Sequence, residues 1–189
     1  MLHAAQRTVL ANGLTLVALP RPGSPSTTFL LAMAGGSRFD PPDRTGLAFL
    51  LSRLLDKGGG AYSSREISER IENAGAVLST TTTRRLVTMV LTCVADAVID
   101  LVPCVVGGAR APSLMPDEIN RQRLEVRTLL AQDRSLPAVR AVEALMAALY
   151  PDPHPYGRPA RGTPESLDAI SRADLEAHHY RYCTPERAI

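Results

Sequence analysis

Apolar residues recur at three- and four-residue intervals between residues 45 and 57, and this spacing predicts an amphipathic helix. Thr45 is its predicted N-cap, and the run Gly58-Gly59-Gly60 is its predicted end. The apolar face consists of five leucines: Leu47, Leu50, Leu51, Leu54 and Leu55. A face of this width is expected to pack against a hydrophobic core.

Other segments alternate between apolar and polar residues or are rich in β-branched residues, as is typical of strands. Asn12-Gly13 lies between two such runs and predicts a hairpin with a type I′ turn. Further strands are predicted at 27–34, 77–83 and 86–93, and Arg84-Arg85 is expected to turn the last two into an antiparallel pair.

Helix signals follow in the remaining segments. Ser63 and Glu66 form a predicted capping box for a helix that ends near Gly75. Later helical patterns lie at about 96–110, 116–132, 137–149 and 171–182, and the proline-rich stretch 150–157 is predicted to be a loop. Together the elements predict an α+β domain, with an antiparallel sheet of about five or six strands covered on one face by helices.

Composition restricts the function classes. The 189 residues are 45% hydrophobic, which suits one compact domain, and the net charge of +2 comes from scattered basic residues. We therefore expect no nucleic-acid partner and, because no long apolar run is present, no membrane partner. Three cysteines without metal-ligand spacing predict free thiols and a cytoplasmic location.

The second face of the 45–57 helix carries Phe49, Ser52, Arg53 and Asp56. The run Gly46-Leu-Ala-Phe-Leu-Leu-Ser-Arg53, followed by Lys57-Gly58, resembles the Gly-Leu-Ala-His-x-x-Glu-His helix of the insulinase/pitrilysin zinc metallopeptidases, which include mitochondrial processing peptidase. The resemblance continues along nearly the whole chain: Asn12-Gly13-Leu14, Ala34-Gly-Gly-Ser-Arg38, Ile71-Glu-Asn-Ala-Gly-Ala76, His154-Pro-Tyr-Gly157, Gly162 to Ile170, and Tyr182 with Pro185.

This resemblance implies a metallopeptidase domain of the LuxS and processing-peptidase type. In such enzymes two histidines four residues apart bind zinc, and the glutamate beside the second one accepts a proton from the metal-bound water. The matching positions here are Phe49, Ser52 and Arg53, and the third ligand position falls on about Leu129. None of these side chains is a zinc ligand, so we expect no catalytic residue, no metal site and no cofactor.

Three polar features allow more than one interpretation. Arg53 is able to contact a partner's carboxylate or a peptide terminus through its guanidinium, although a surface ion pair with Asp56 is the favoured interpretation. His178 and His179, with Asp174 nearby, are better explained by helix-end electrostatics than by a metal site. His154 is interpreted as a loop residue.

In the proteases that this chain resembles, the strand corresponding to residues 76–83 lies at a sheet edge and pairs with extended substrate. We therefore predict a retained peptide contact along this strand, with pairing to the rest of the protein as the alternative. The residues of the predicted contact are Ala76, Val77, Leu78, Ser79, Thr80, Thr81 and Thr82.

The resulting functional hypothesis is a non-catalytic homologue that serves as a scaffold or substrate-positioning subunit. Its expected partners are a homologous catalytic peptidase subunit or a second copy of itself, together with a peptide substrate. The alternatives are a zinc metalloendopeptidase that uses ligands such as His154, His178 or His179, and a purely structural subunit. Residues 1–189 are expected to be the first of two tandem homologous domains.

Overall fold

The largest sheet within the described part of the chain has three antiparallel strands. A computed structural model describes residues 5–189, and the strand order in this sheet is β3 (Ser26–Met33), β7 (Val87–Val94) and β6 (Val77–Thr82). The predicted pairing of the last two strands along the chain is confirmed, because Thr82 lies opposite Val87 and the chain turns at Arg84-Arg85.

Two small hairpins lie outside this sheet: β1 (Gln6–Val9) with β2 (Thr15–Ala18), and β4 (Gly58–Gly59) with β5 (Tyr62–Ser63). The first is joined to the sheet through Ala188, whose carbonyl oxygen accepts a hydrogen bond from Thr15 N while the residue itself bridges Met33. Isolated bridges do not extend a sheet. The predicted sheet of five or six strands is therefore wrong for residues 5–189, where the largest sheet has three.

The turn of the first hairpin also differs from the prediction. Val9 pairs with Thr15, so the connection is longer than two residues. Gly13 has a φ of 86°, whereas Asn12 does not have the positive φ that a type I′ turn requires. Instead, the Asn12 side chain accepts a hydrogen bond of 3.2 Å from Leu14 N, which stabilises a wider loop.

Seven α-helices are described: α1 (Leu47–Ser52), α2 (Ser64–Asn73), α3 (Val98–Arg110), α4 (Pro116–Arg134), α5 (Pro137–Leu149), α6 (Pro164–Ala169) and α7 (Arg172–Tyr182). The helices predicted at the corresponding places are confirmed, with shifted ends, and α6 was not predicted. The Ser63–Glu66 capping box of α2 is present. In the described chain no helix has the length and apolarity needed to cross a membrane.

The core lies between the helices and one face of the sheet. Along β7 the inward residues are all buried: Val87, Met89, Leu91 and Cys93. The five leucines of the 45–57 segment are also buried and belong to the same cluster. The opposite face of the sheet is open, since Leu30 is 51% and Val77 64% exposed. Coverage of one face by helices is therefore confirmed, and the three cysteines are free thiols as predicted.

Candidate functional site

A buried aspartate starts the helix α1. The Asp40 carboxylate accepts hydrogen bonds of 2.9 Å from both Gly46 N and Ala48 N, and so satisfies amides that the first helical turn leaves unpaired. Thr45 was predicted to be the cap, but its hydroxyl donates to Ser166 Oγ instead. The reason is the backbone of Gly46, whose φ of 89° places the chain in the left-handed region immediately before the helix.

Burial raises the pKa of Asp40 to about 7, although the amides of Ala48, Gly46 and Leu47 and the nearby charge of Arg158 act in the opposite direction. Near neutral pH the Asp40 carboxyl group is therefore present in both its protonated and its ionised form. It anchors the helix that carries Phe49, Ser52 and Arg53.

The α-helical hydrogen bonding ends at Ser52, earlier than the predicted end at residue 57, and turns continue to Lys57. Leu54 N bonds to Leu51 O over three residues at 2.9 Å, which is a tighter turn than in an α-helix. All five leucines nevertheless remain buried, so the apolar face persists although the helix is shorter.

Arg53 joins α1 to α4. Its Nε donates to Gln122 Oε1 at 2.8 Å, and its Nη2 donates to Glu125 Oε2 at 2.6 Å. The predicted ion pair with Asp56 is wrong, because Asp56 pairs with Lys57 at 2.8 Å. The planar guanidinium of Arg53, at the end of α1, thus donates to two acceptors on the neighbouring helix α4.

Gln122 and Glu125 are the site residues that the sequence reasoning missed. Gln122 is only 1% exposed and lies in the buried row of α4 that contains Ile119, Val126 and Leu130. A glutamine that interrupts an apolar row at helical spacing was a usable signal, because a buried amide requires hydrogen-bond partners.

The other two residues of this face are held by local contacts. The Ser52 hydroxyl, 1% exposed, donates to Phe49 O at 2.7 Å, a common bond between a serine and the preceding turn. Phe49 packs against the core, and the Arg161 guanidinium lies 5.6 Å from its ring centroid. Arg161 also pairs with Asp133 near the end of α4.

These side chains do not fit a zinc ion. Phe49 has no lone pair, Ser52 directs its hydroxyl proton to a backbone carbonyl, and Arg53 places a permanent cation between α1 and α4. Leu129 lies seven residues after Gln122 on the same side of α4 and is half-buried. Its assignment to the third ligand position stays a prediction, as does the absence of a metal.

The strand β6 lies at the edge of the three-stranded sheet, as predicted, and α1 packs against it. Its side chains alternate: Val77, Ser79 and Thr81 are exposed, whereas the intervening residues face the helices. Among the latter, the buried hydroxyls of Thr80 and Thr82 have no hydrogen-bond partner within the described part of the chain. Ala76 precedes the strand, and its N donates to Ile71 O at the end of α2.

A model of the insulinase family, peptidase family M16, matches residues 16–163 of the chain. The chain belongs to this family. It is 31% identical to a protein of Mycobacterium leprae named as an uncharacterized zinc protease, over 97% of the chain and 41% of that protein. It is also 26% identical to a probable mitochondrial-processing peptidase subunit beta of Schizosaccharomyces pombe, over 92% of the chain and 38% of that protein.

Among solved structures, the fold is similar to a peptidase M16 inactive domain from Pseudomonas fluorescens, with a TM-score of 0.85 at 22% identity over 93% of this chain and 43% of that one. At this identity the likeness concerns the fold alone. The chain spans about two fifths of the length of the curated relatives described above, 41% and 38%.

The three histidines within residues 5–189 of this M16-family chain each form a hydrogen bond with the backbone. His178 Nε2 lies 3.0 Å from Gly35 O, and His179 Nε2 lies 2.8 Å from Ala109 O, so adjacent histidines point to different parts of the fold. Burial lowers the pKa of His178. The Nδ1 of His154 accepts a hydrogen bond from Tyr156 N within the proline-rich loop, which was correctly predicted. Ser171 caps α7, and the Asp174 carboxylate accepts a hydrogen bond of 2.7 Å from Ser171 N in the same capping box.

Proposed function

We propose that this M16-family chain is a non-catalytic subunit that positions an extended peptide for a catalytic homologue. The observation that carries the proposal is the contact of Arg53 with Gln122 and Glu125. In the zinc peptidases of the family, as the sequence resemblance implies, this face of the helix supplies imidazole and carboxylate. Here it supplies a guanidinium that donates hydrogen bonds to two side chains of α4, which supports a structural contact in place of a zinc ligand.

The edge strand supports a role in peptide positioning. An edge strand offers unpaired backbone amides and carbonyls to an extended peptide, and β6 lies beside α1. A peptide held here would lie next to the helix that carries Arg53.

An exposed apolar row on α5 supports a protein partner. Val142, Leu145 and Leu149 fall on one side of this helix and are 57%, 56% and 60% exposed. Rows of large apolar residues on a helix surface are typical of protein–protein contacts. A catalytic homologue is the proposed partner, and relatives such as the beta subunit of processing peptidase are by their names parts of assemblies.

The cytoplasmic location and a second tandem domain in the intact protein also stay predictions.

The test combines metal analysis with reconstitution. The intact protein, purified and then mixed with a catalytic M16 homologue, is expected to carry no stoichiometric zinc and to increase peptide cleavage only in the mixture. Leu145→Asp is expected to weaken the association, whereas Ile99→Asp, at a 79% exposed position on α3, serves as the matched control. Stoichiometric zinc together with chelator-sensitive cleavage by this chain alone would show that it is an enzyme.

A further inference from the structure

Three arginines from separate parts of the chain converge on one cavity. The cavity has a volume of about 340 Å³ and lies between the β6–β7 turn, the helix α5 and the segment after the proline-rich loop. Arg84 comes from the turn, Arg140 from α5 and Arg158 from the segment after the loop. Ala144 and Ala147 supply apolar walls.

Two of these arginines are positioned by backbone carbonyls and not by acids. Arg84 Nε donates to Tyr156 O at 3.0 Å, and Arg158 donates to Asp40 O at 3.2 Å and to Pro153 O at 2.8 Å. Neutral acceptors fix the guanidinium groups without neutralising their charge, and the acid that acts on one of them at longer range is Asp40, near Arg158. Within residues 5–189, none of the three arginines forms an ion pair with a carboxylate, and the Arg140 side chain has no hydrogen-bond partner.

One acid lines the cavity together with the arginines. Glu143 lies three residues after Arg140 on α5, and it makes no ion pair within 4.0 Å in the described chain. Three guanidinium groups against one carboxylate leave the cavity with a net charge of +2. Partly apolar walls lower the local dielectric constant and strengthen the attraction of an added anion.

The position of the cavity connects it to the edge strand. Arg84 is two residues beyond the end of β6 at Thr82. A peptide that pairs with β6 and extends past Thr82 would bring its end residue close to this arginine. Guanidinium groups bind carboxylates through paired hydrogen bonds, and this geometry distinguishes a carboxylate from a neutral amide.

We propose that the Arg84–Arg140–Arg158 cavity binds a carboxylate of the peptide that pairs with β6, and so selects peptides with an acidic group at that end. This inference rests on the proposed peptide-positioning function. The carboxylate is either that of an aspartate or glutamate side chain or that of the peptide's C-terminus. Both offer the same two oxygen acceptors.

The experiment uses short fluorescent peptides of alternating threonine and valine and the intact protein. The first peptide carries a single glutamate and has blocked termini. It is made in two versions, with the glutamate at the N-terminal end or at the C-terminal end. A second has glutamine in its place, and a third has glutamine with a free C-terminal carboxylate. We expect the glutamate peptide to bind about tenfold more tightly than the glutamine peptide, and Arg140→Gln to remove that difference. Arg65→Gln, at an exposed ion pair on α2, is the control and should preserve it.

The third peptide distinguishes the two sources of the carboxylate. Tight binding of this peptide would show that a C-terminal carboxylate is sufficient, and weak binding would show that the acidic side chain is required. Equal binding of all three peptides to the unmodified protein would overturn the cavity proposal and leave the edge-strand function standing. If no peptide binds, peptide positioning by β6 is itself wrong and the cavity proposal is overturned with it. Persistence of the glutamate preference in Arg140→Gln would also overturn the proposal.

Discussion

The two faces of α1 differ in what holds them. On the inner face, Leu50 and Leu51 are fully buried and contact a core built from the sheet and several helices. On the other face, Arg53 is held by two side chains of α4, and its own side chain is 34% exposed. Burial of the leucines therefore holds α1 against the core. Residues on the other face can be exchanged for others with different chemistry without displacing the helix.

The largest effect is expected from the inner face. Leu51→Ala removes a side chain with 0% exposure and leaves a cavity, so the free energy of unfolding should fall by roughly 3–5 kcal/mol. Chemical denaturation measures the change. Ile99→Ala, at a 79% exposed position, is the control and should change the stability by less than about 0.5 kcal/mol. Similar losses in the two variants would contradict the division between the faces.

The buried carboxyl group of Asp40, at the start of α1, should make the free energy of unfolding depend on pH. The pKa of Asp40 is raised from 3.8 to about 7, so its contribution is complete below pH 3.8 and is lost as pH rises through about 7. The free energy of unfolding should therefore fall over this range, by roughly 2–4 kcal/mol. His178, with its lowered pKa, acts in the opposite sense, because its contribution is lost as pH falls below 6.5.

The difference between the unmodified protein and Asp40→Asn isolates the aspartate, because His178 is present in both. Stability measured at several pH values should decrease with rising pH in the unmodified protein relative to Asp40→Asn. A constant difference between the two proteins from pH 4 to pH 7.5 would show that Asp40 does not titrate in this range.

A smaller effect is expected at the other face. Arg53→Ala breaks a half-exposed ion pair and leaves the buried Gln122 side chain without its partner, so stability should fall by about 1–2 kcal/mol. A double-mutant cycle with Glu125→Ala should assign only about 0.5 kcal/mol to the ion pair itself. A coupling energy of zero would mean that the ion pair does not contribute to stability in solution.

The smallest effect is expected for Ser52→Ala. The Ser52 hydroxyl donates to the carbonyl of its own helix, and its loss should cost less than about 1 kcal/mol. Peptide cleavage in the mixture with a catalytic homologue should not change, because Ser52 has no proposed role in proton transfer. Loss of cleavage in a folded Ser52→Ala protein would assign a chemical role to this residue.

Much of the fold follows from local patterns. The leucine row, the Ser63–Glu66 capping box, the β6–β7 hairpin and the helix α5 are each specified by residues close together in the chain. Predictions from local patterns were wrong where a side chain has a distant partner: the Thr45 hydroxyl donates to Ser166 Oγ, 121 residues away. Thr45 was predicted to cap α1, but Asp40 takes that place because the positive φ of Gly46 directs the chain toward it.

The sequence by itself determined that the five leucines of the 45–57 segment lie in the core of this M16-family chain, because hydrophobic spacing acts within a few turns. Only the tertiary structure decided the partner of Arg53, since Gln122 and Glu125 are 69 and 72 residues away. It also decided that the largest described sheet has three strands, because pairing between strands depends on contacts that no local pattern encodes. The cavity of three arginines arises in the same way, from segments that meet only in the folded chain.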